Sequence, residues 1–434
     1  MNDSLPESKL KRTVVGGRTA ATVGGKVLRY LVKKPFMSEA DQAVARDRLE
    51  KDYAREINKG LVLLKGTALK IAQLLSFELD LIPSAIRKEL EKSYNQVPPL
   101  NRALVRKVIL NAFGESPEQV FARFDSTAHA AASLGQVHIA STHDGQKLAV
   151  KVQYPGIGKS IENDLQMIRS LARPTPYARF VLPVLKEIEV KLGEEIDYLQ
   201  EARYTQFFHD HLKTENVRVP CVFEELSTKT VLTSEFIEGL SLDAWIATDP
   251  GQEERDRVAQ TLYHLFLDSL LELKCLHADP NPGNYIIGPD LTVGLVDFGC
   301  VKRYSLEFVQ LFKEVFKTML KGNKEQYFEY LDKMQVIHTE IDTETQDEIY
   351  AILKRSAEWF GQLYEAEIFD FGKNSDFVLE GKKIMQETYH YRNYFKPNPE
   401  YVFLNRANYG MIRIFERLKA RVRFIKPDEW EVAS

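Results

Sequence analysis

The sequence contains few cysteines, no long apolar segment and no excess of positive charge. Its 434 residues include three cysteines, Cys221, Cys275 and Cys300, which are scattered and lack the spacing of metal ligands. We therefore expect reduced thiols in a cytoplasmic protein rather than disulfides or a zinc site. The net charge of −4 argues against a general nucleic-acid binder, so we expect no nucleic-acid partner.

Membrane-spanning and secreted proteins are also disfavoured. A spanning helix needs about 18 or more consecutive apolar residues, and the sequence has no such run. The most apolar stretch, TLYHLFLDSLLELKCLH, contains Asp268, Glu272 and Lys274 and has helical periodicity, so we interpret it as a buried helix. The N-terminus lacks the apolar core and the cleavage site of a secretory signal.

The N-terminal segment 1–36 has a different character, with eight lysines and arginines against Asp3 and Glu7. A basic segment of this kind can bind an anionic lipid surface, which would place the protein peripherally on the inner membrane surface. A flexible, solvated tail explains the same composition equally well. The sequence leaves both interpretations open.

The strongest signal is HADPNPGN at 277–284, followed by VDFG at 296–299. Phosphoryl transfer needs a carboxylate beside the nucleophile and oxygen ligands for Mg²⁺ ions that bridge the phosphates. Asp279 has the position of a catalytic base, and Asn284 and Asp297 have those of the magnesium ligands. Either fragment alone can be a surface turn. Both in this order, after an apolar helix, predict a kinase-like nucleotide site.

Two upstream elements agree with this interpretation. VHIASTHDGQKLAVKVQ at 137–153 alternates apolar and polar residues around a turn, which predicts a β-hairpin. Its second strand carries Lys151 in a motif like the strand lysine that binds nucleotide phosphates, with an exposed lysine as the alternative. A helix predicted to run on through Glu195, Asp197 and Glu201 offers carboxylates for two different cations. Solvated helix charges are the alternative there.

Where protein kinases have a glycine-rich phosphate loop, this chain has AHAAASLGQVH at 128–138. An alanine Cβ narrows the allowed backbone and crowds the approach of N–H groups to phosphates. We therefore predict a stiffer loop with an altered nucleotide preference. Its residues are Ala130, Ala131, Ala132, Ser133 and Gly135.

These motifs together resemble the UbiB/AarF-type atypical kinases, and the resemblance extends roughly from Leu61 to Arg303. It rests on the alanine-rich loop, Lys151, the triplet 195–197, HADPNPGN and DFG. The family's Lys-x-Gly-Gln signature corresponds to 70–73, where Ala72 replaces the glycine and adds one methyl group. That methyl group lies at a position where the family's helix can approach a neighbouring backbone closely.

The resemblance implies an α+β, protein-kinase-like, two-lobed and mostly helical fold, with an N-terminal helical extension covering the active site. It implies ATP or ADP and Mg²⁺ as cofactors. Lys151 would pair with Glu201 and the phosphates, and Lys70, beside Gln73, would reach Glu195 of the triplet that ends at Asp197. The strand VLTSEFIEG would present backbone groups of Glu235, Phe236 and Ile237 to the adenine. An exposed amphipathic helix is the alternative for Lys70 and Gln73.

The predicted organisation has four parts: a basic flexible arm at 1–37, a helical extension at 38–120, a small lobe at 121–239 and a helical large lobe at 240–434. The function implied is a magnesium-dependent atypical kinase or ATPase. Its setting would be isoprenoid quinone (ubiquinone-type) biosynthesis or membrane-lipid homeostasis, with quinone-pathway lipids or proteins as partners. A non-catalytic, nucleotide-gated scaffold is one alternative. The other is a small-molecule kinase, but such kinases lack the 70–73 signature and the alanine loop.

Overall fold

The structure is a computed structural model that describes residue 37 and residues 100–132, 134–173, 178–338, 341–396 and 398–433. These residues belong to two compact units. Unit 1 takes the described residues of Met1–Leu199 and of Glu224–Thr233, and unit 2 those of Gln200–Phe223 and Ser234–Ser434. Helices predominate over strands in the described chain, which confirms the predicted α+β class. The three boundaries between the parts predicted from the sequence stay predictions.

The elements are numbered in chain order over the described residues. The elements up to residue 211 are α1 (Arg102–Phe113), α2 (Pro117–Val120), β1 (Arg123–Phe124), β2 (Ala130–Ala132), β3 (Gly135–Ser141), β4 (Lys147–Gln153), α3 (Ile157–Ala172), α4 (Ala178–Glu195) and α5 (Tyr198–His211). The elements from there to residue 303 are β5 (Val217–Arg218), β6 (Val231–Glu235), β7 (Leu240–Ser241), α6 (Leu242–Ile246), α7 (Gln252–Leu271), β8 (Cys275–His277), β9 (Tyr285–Ile287), β10 (Val293–Leu295) and β11 (Val301–Arg303). The remaining elements are α8 (Leu306–Lys321), α9 (Lys324–Lys333), α10 (Thr343–Gly361), β12 (Phe369–Asp370), α11 (Phe377–Thr388), α12 (Pro399–Leu418) and β13 (Arg421–Val422).

A five-stranded sheet forms the centre of unit 1, in the order β1-β3-β4-β6 with β2 also paired to β3. The predicted hairpin at 137–153 is confirmed, because β3 and β4 pair antiparallel and place Val137 opposite Lys151. Its turn contains Gly145 at φ 92°, a left-handed conformation that favours glycine. The predicted alanine loop is wrong for Ala130–Ala132, which form strand β2 because they pair with residues 135–137 of β3.

The predicted continuous helix through Glu195 and Glu201 is also wrong, since α4 ends at Glu195 and α5 begins at Tyr198. Side chains satisfy the backbone groups at this break. Asp197 Oδ1 accepts the N–H of Leu199 at 3.1 Å, which caps the first turn of α5. Gln153 Nε2 donates to the carbonyl of Ile196 at 2.7 Å. The chain can therefore leave the helical path without losing hydrogen bonds.

Unit 2 is built around α7, the helix predicted from the apolar stretch before the predicted catalytic loop, HADPNPGN at 277–284. Its residues Val258, Leu262 and Leu265 are buried, and the helix packs against β8, α12 and β13. A sheet in the order β5-β10-β9-β7 and the antiparallel pair β8–β11 lie in the same unit. The strongly helical pattern predicted after Leu306 is confirmed by α8 to α12.

Several predicted features fall outside the described residues. They are the basic arm 1–36, Lys70, Gln73 and Ser133. Within the described ranges, every helix is too short or too polar to cross a membrane.

Candidate functional site

In unit 2, the structure brings Asp279, Asn284 and Asp297 to one end of the β9–β10 pair. Asn284 directly precedes β9, and its carbonyl accepts the N–H of Val296 at 2.9 Å, which places it beside the residue before Asp297. The Asn284 side chain then turns towards Asp279, because Nδ2 donates to Asp279 Oδ2 at 3.2 Å. Two motifs separated in the sequence therefore form one polar cluster.

Asp297 has an unusual backbone, with φ at 63°. Aspartate tolerates this left-handed region better than most residues, and its Oδ1 accepts the N–H of Gly299 at 3.2 Å. The carbonyl of Asp297 accepts a hydrogen bond from His277 Nε2 at 2.8 Å. His277 also lies opposite Val301 in the β8–β11 pair. Both strands therefore tie the turn at Asp297 to the start of the catalytic loop.

Aromatic packing anchors the same turn. Phe298 is 1% exposed, and its ring centroid lies 5.0 Å from that of Phe208 and 5.5 Å from that of His277. Burial raises the pKa of the Tyr285 phenol, and the Asp279 carboxylate raises it further. The phenol next to Asn284 therefore stays neutral and carries no charge into the cluster.

Arg406 on α12 contacts the predicted catalytic base, although no motif in the sequence indicates it. Arg406 Nη2 lies 3.2 Å from Asp279 Oδ1, and the side chains are 15% and 23% exposed. One turn further along α12, a Cβ on Gly410 would lie 2.1 Å from Cγ of Pro280. The pairs 279–406 and 280–410 are each separated by more than 120 residues, so no local pattern announces them.

In unit 1, Lys151 occupies a buried position on β4. The residue is 8% exposed, between Val150 and Val152, which are fully buried. Its Nζ lies 5.2 Å from the ring centroid of Tyr198, within the range of a cation–π contact. A buried ammonium group is costly unless anionic or polar groups surround it. The predicted alternative of an exposed strand lysine is therefore wrong.

Gly135 also has a clear structural requirement. A Cβ at this position would lie 2.4 Å from the carbonyl oxygen of Val152 and 2.6 Å from Oη of Tyr198. Both distances are too short for a real Cβ, so β3 can approach β4 and Tyr198 only with glycine here. Ala130 and Ala131, on the facing strand β2, are exposed.

The three predicted carboxylates are separated by the helix break. Glu195 at the end of α4 and Asp197 in the break are half-buried, whereas Glu201 in the first turn of α5 is 2% exposed. By the division into units, Glu201 belongs to unit 2 and Lys151 to unit 1. The pairing of Lys151 with Glu201 stays a prediction.

The predicted adenine-binding segment consists of β6, which ends at Glu235, and the residues that follow it. The backbone N–H of Glu235 donates to the carbonyl of Cys221 at 2.9 Å, and its carboxylate forms a salt bridge with Arg218. The N–H of Glu235 is therefore already used within unit 2, so an adenine would bind another backbone group of the segment. The Ile237 side chain covers Gly294 on β10, where a Cβ would lie 2.7 Å from Ile237 Cγ2. This close contact fixes the path of the chain at Ile237.

The oxygen donors of unit 2 suit Mg²⁺. Because Asn284 Nδ2 faces Asp279, the carbonyl oxygen of the same amide points away from it. Together with the Asp297 carboxylate, it offers the hard oxygen ligands that Mg²⁺ prefers. Among the described residues, no three His, Cys, Asp or Glu side chains form a complete metal cage. Magnesium commonly binds through one or two carboxylates and the phosphates of a nucleotide, which needs no such cage.

Comparison with known proteins identifies the family to which the chain belongs. Residues 92–331, more than half of the chain, match the model of the ABC1 atypical kinase-like domain. The chain is 31% identical over 334 residues to "Atypical kinase coq-8, mitochondrial" of Caenorhabditis elegans, covering 73% of this chain and 42% of that protein. It is 26% identical over 441 residues to "Probable serine/threonine-protein kinase abkA" of Dictyostelium discoideum, covering 96% and 78%. The chain thus spans less than half the length of the first relative.

A solved structure shows a similar architecture. It is the complex of Rv3197 with erythromycin from Mycobacterium tuberculosis, which is 25% identical to this chain with a TM-score of 0.59. The match covers 89% of this chain and 96% of that one. It therefore includes both units rather than an isolated motif.

Proposed function

This chain belongs to the ABC1 atypical kinase-like family, and from that premise we propose that it binds Mg²⁺-ATP and transfers or hydrolyses the terminal phosphoryl group. The observation that carries this proposal is the polar cluster of Asp279, Asn284 and Asp297 at the end of the β9–β10 pair. A carboxylate beside two oxygen donors is the arrangement that phosphoryl transfer requires.

Each member of the cluster has a distinct proposed role. Asp279 accepts the proton of the attacking hydroxyl group or water, as a general base. Asn284 and Asp297 would hold Mg²⁺, which when bound neutralises charge on the phosphates. His277 and Phe298 hold the turn that carries Asp297.

The remaining predicted residues complete the proposal. Lys151 would bind the nucleotide phosphates and be held by Glu201, and the backbone of Glu235 and Ile237 would receive the adenine. The hairpin of β2 and β3 would lie next to the phosphates, with Gly135 at its turn. The family signature would be formed by Lys70, Gln73, Glu195 and Asp197.

The family resemblance supports isoprenoid quinone biosynthesis or membrane-lipid homeostasis as the setting. Two relatives, from Caenorhabditis elegans and Saccharomyces cerevisiae, are named as mitochondrial atypical kinases. We propose a peripheral position on an anionic membrane for this chain, with the basic segment 1–36 as the contacting arm.

The proposal is tested with Asp297→Asn and Lys151→Arg in the full chain. Asp297→Asn should abolish the Mg²⁺-dependent rise in melting temperature that ATP produces, because it removes a charged ligand. Lys151→Arg should lower phosphate release by about 100-fold, since a planar guanidinium does not replace a buried ammonium at a preorganised site. In a deletion strain, Asp297→Asn should fail to restore the quinone and lipid profile.

Lys147→Arg, an exposed position at the start of the same strand, is the matched control and should behave like the parent. Parental phosphate release in both site variants would refute the assignment. Nucleotide binding without any turnover would instead favour the scaffold alternative.

A further inference from the structure

Helix α12 presents two residues of one face to the catalytic loop. Arg406 and Gly410 are four positions apart, so they lie one above the other on the helix. Arg406 contacts Asp279, and the missing Cβ of Gly410 leaves the space that Pro280 occupies. Two consecutive loop residues are therefore held by two consecutive turns of the same helix.

This helix is a fixed part of unit 2. Its residues Leu404, Ala407 and Ile412 are 0–1% exposed, and they belong to the same hydrophobic core as α7. Its first turn is capped by Asn398, whose side chain accepts the N–H groups of Glu400 and Tyr401. A core helix with a capped start provides a rigid support for the loop.

The Asp279 carboxylate is held on both sides. Arg406 Nη2 contacts Oδ1 and Asn284 Nδ2 contacts Oδ2, each at 3.2 Å. Two donors on different oxygens define the plane of the carboxylate, whereas one donor would leave it free to rotate. The segment 277–284 contains no lysine or arginine of its own. The cation beside Asp279 therefore comes from a helix 127 residues further along the chain.

We propose that Arg406 is a positioning residue for the phosphoryl-transfer reaction: it orients the Asp279 carboxylate, and Gly410 sets the distance between α12 and the loop. The inference rests on the proposed function. A base displaced by about 1 Å can lower the rate by about 100-fold while substrate binding is unchanged.

The first experiment compares Arg406→Met with the parent in steady-state ATP turnover. We expect kcat to fall by about 10- to 100-fold, with KM for ATP within about twofold of the parent. The Mg²⁺-ATP-induced shift in melting temperature should persist, because Asn284 and Asp297 remain. Arg406→Lys, which keeps the charge, should recover part of kcat. Arg413→Met removes an exposed arginine of the same helix and should leave turnover unchanged.

Gly410→Ala provides a second, independent variant. Its Cβ would displace Pro280 without changing any charge, so it should show the same loss of kcat with KM retained. Circular dichroism and the melting temperature of each variant establish that it is folded before turnover is compared.

The outcomes separate this inference from the proposed function. A parent without Mg²⁺-ATP turnover refutes the function and the inference together. If the parent turns over ATP, a parental kcat in Arg406→Met overturns the positioning role alone. A change confined to KM also overturns the positioning role. A higher kcat in the variant overturns it as well, because it would mean that the ion pair with Arg406 restrains the base.

Discussion

At the residue scale, two glycines that look alike in the sequence differ in whether the structure around them has room for a methyl group. At Gly135, a Cβ would overlap the carbonyl oxygen of Val152 and Oη of Tyr198. At Gly193, near the end of α4, a Cβ would meet nothing within 4 Å. The first glycine is needed for the approach of β3 to its neighbours, whereas the second only weakens a helix.

We therefore predict opposite effects of the same substitution. Gly135→Ala should lower the free energy of unfolding by about 1–3 kcal/mol, because the strand must move away from Val152. Gly193→Ala should raise it by up to about 1 kcal/mol through helix propensity. Urea denaturation of both variants measures the difference. Equal effects of the two substitutions would contradict the contacts described for Gly135.

The residues of the site divide by how far apart in the chain their partners lie. Asp279 and Asn284 were predictable because they lie five positions apart in one loop, and this spacing itself encodes the geometry. Arg406 and Phe208 were not, since each reaches the site from a distant helix. A charge or an aromatic ring on a helix has the same appearance in the sequence whether it faces solvent or a catalytic loop.

At the scale of the element, the break between α4 and α5 shows where periodicity fails. The apolar pattern continues through 181–208, so it predicts one helix. Asp197 is nevertheless a favoured N-cap residue, and it caps Leu199. That N-cap preference was the signal in the sequence from which the helix break could have been predicted. The hydrogen bond that Gln153, on a different element, donates to the carbonyl of Ile196 stabilises the interrupted backbone on its other side.

Removing this cap should destabilise the protein. We expect Asp197→Ala to lower the free energy of unfolding by about 1 kcal/mol, since the N–H of Leu199 loses its acceptor. Asp197→Asn retains a side-chain oxygen and should stay close to the parent. Chemical denaturation with a circular-dichroism signal compares the two. An Asp197→Ala protein as stable as the parent would show that the cap does not hold the start of α5.

Strand β2 is a second case in which tertiary contacts override a local preference. Three successive alanines favour helix in isolation. Here they pair with Gly135–Val137, because β3 offers them a free edge beside the hairpin. The assignment of this segment to the phosphate-binding region stays a prediction, and its conformation depended on a partner strand.

At the scale of the whole molecule, the predicted kinase-like fold is confirmed by the family match and by the similarity to a solved structure. The predicted helical extension over the active site falls largely outside the described residues, and its position stays a prediction. Within unit 2, a large hydrophobic core that extends from Phe208 to Trp430 is rich in aromatic side chains.

Buried phenols in this core make the free energy of unfolding fall at alkaline pH. Burial raises the pKa of several tyrosines above the ordinary value of about 10. They are Tyr263, Tyr285, Tyr304, Tyr327 and Tyr364. The pKa of these phenols is higher in the folded state than in the unfolded state. Their contribution to the free energy of unfolding is therefore complete below pH 10 and is lost as the pH rises further. Above pH 10, each such phenol should lower the free energy of unfolding by about 1 kcal/mol per pH unit, which is measurable as a falling urea midpoint.

Tyr304→Phe is the matched control. The hydroxyl group of Tyr304 makes no hydrogen bond to any residue within the described ranges. The Tyr304 ring stacks on that of Phe308, with 5.1 Å between the ring centroids. The variant should be at least as stable as the parent at pH 7 and should lose less stability between pH 10 and 11. Identical alkaline slopes for parent and variant would show that this phenol does not contribute.

The sequence by itself determined the chemistry proposed for this protein, because the side chains proposed for catalysis and metal binding lie in short motifs whose spacing specifies their arrangement. It also determined the hairpin that carries Lys151 and the helices of unit 2, since alternation and helical periodicity are local properties. Tertiary structure alone decided which helix supports Asp279, where the helix before Tyr198 breaks, and which glycine is indispensable. Those features depend on contacts between residues far apart in the chain, and such contacts leave no periodic trace in a single sequence.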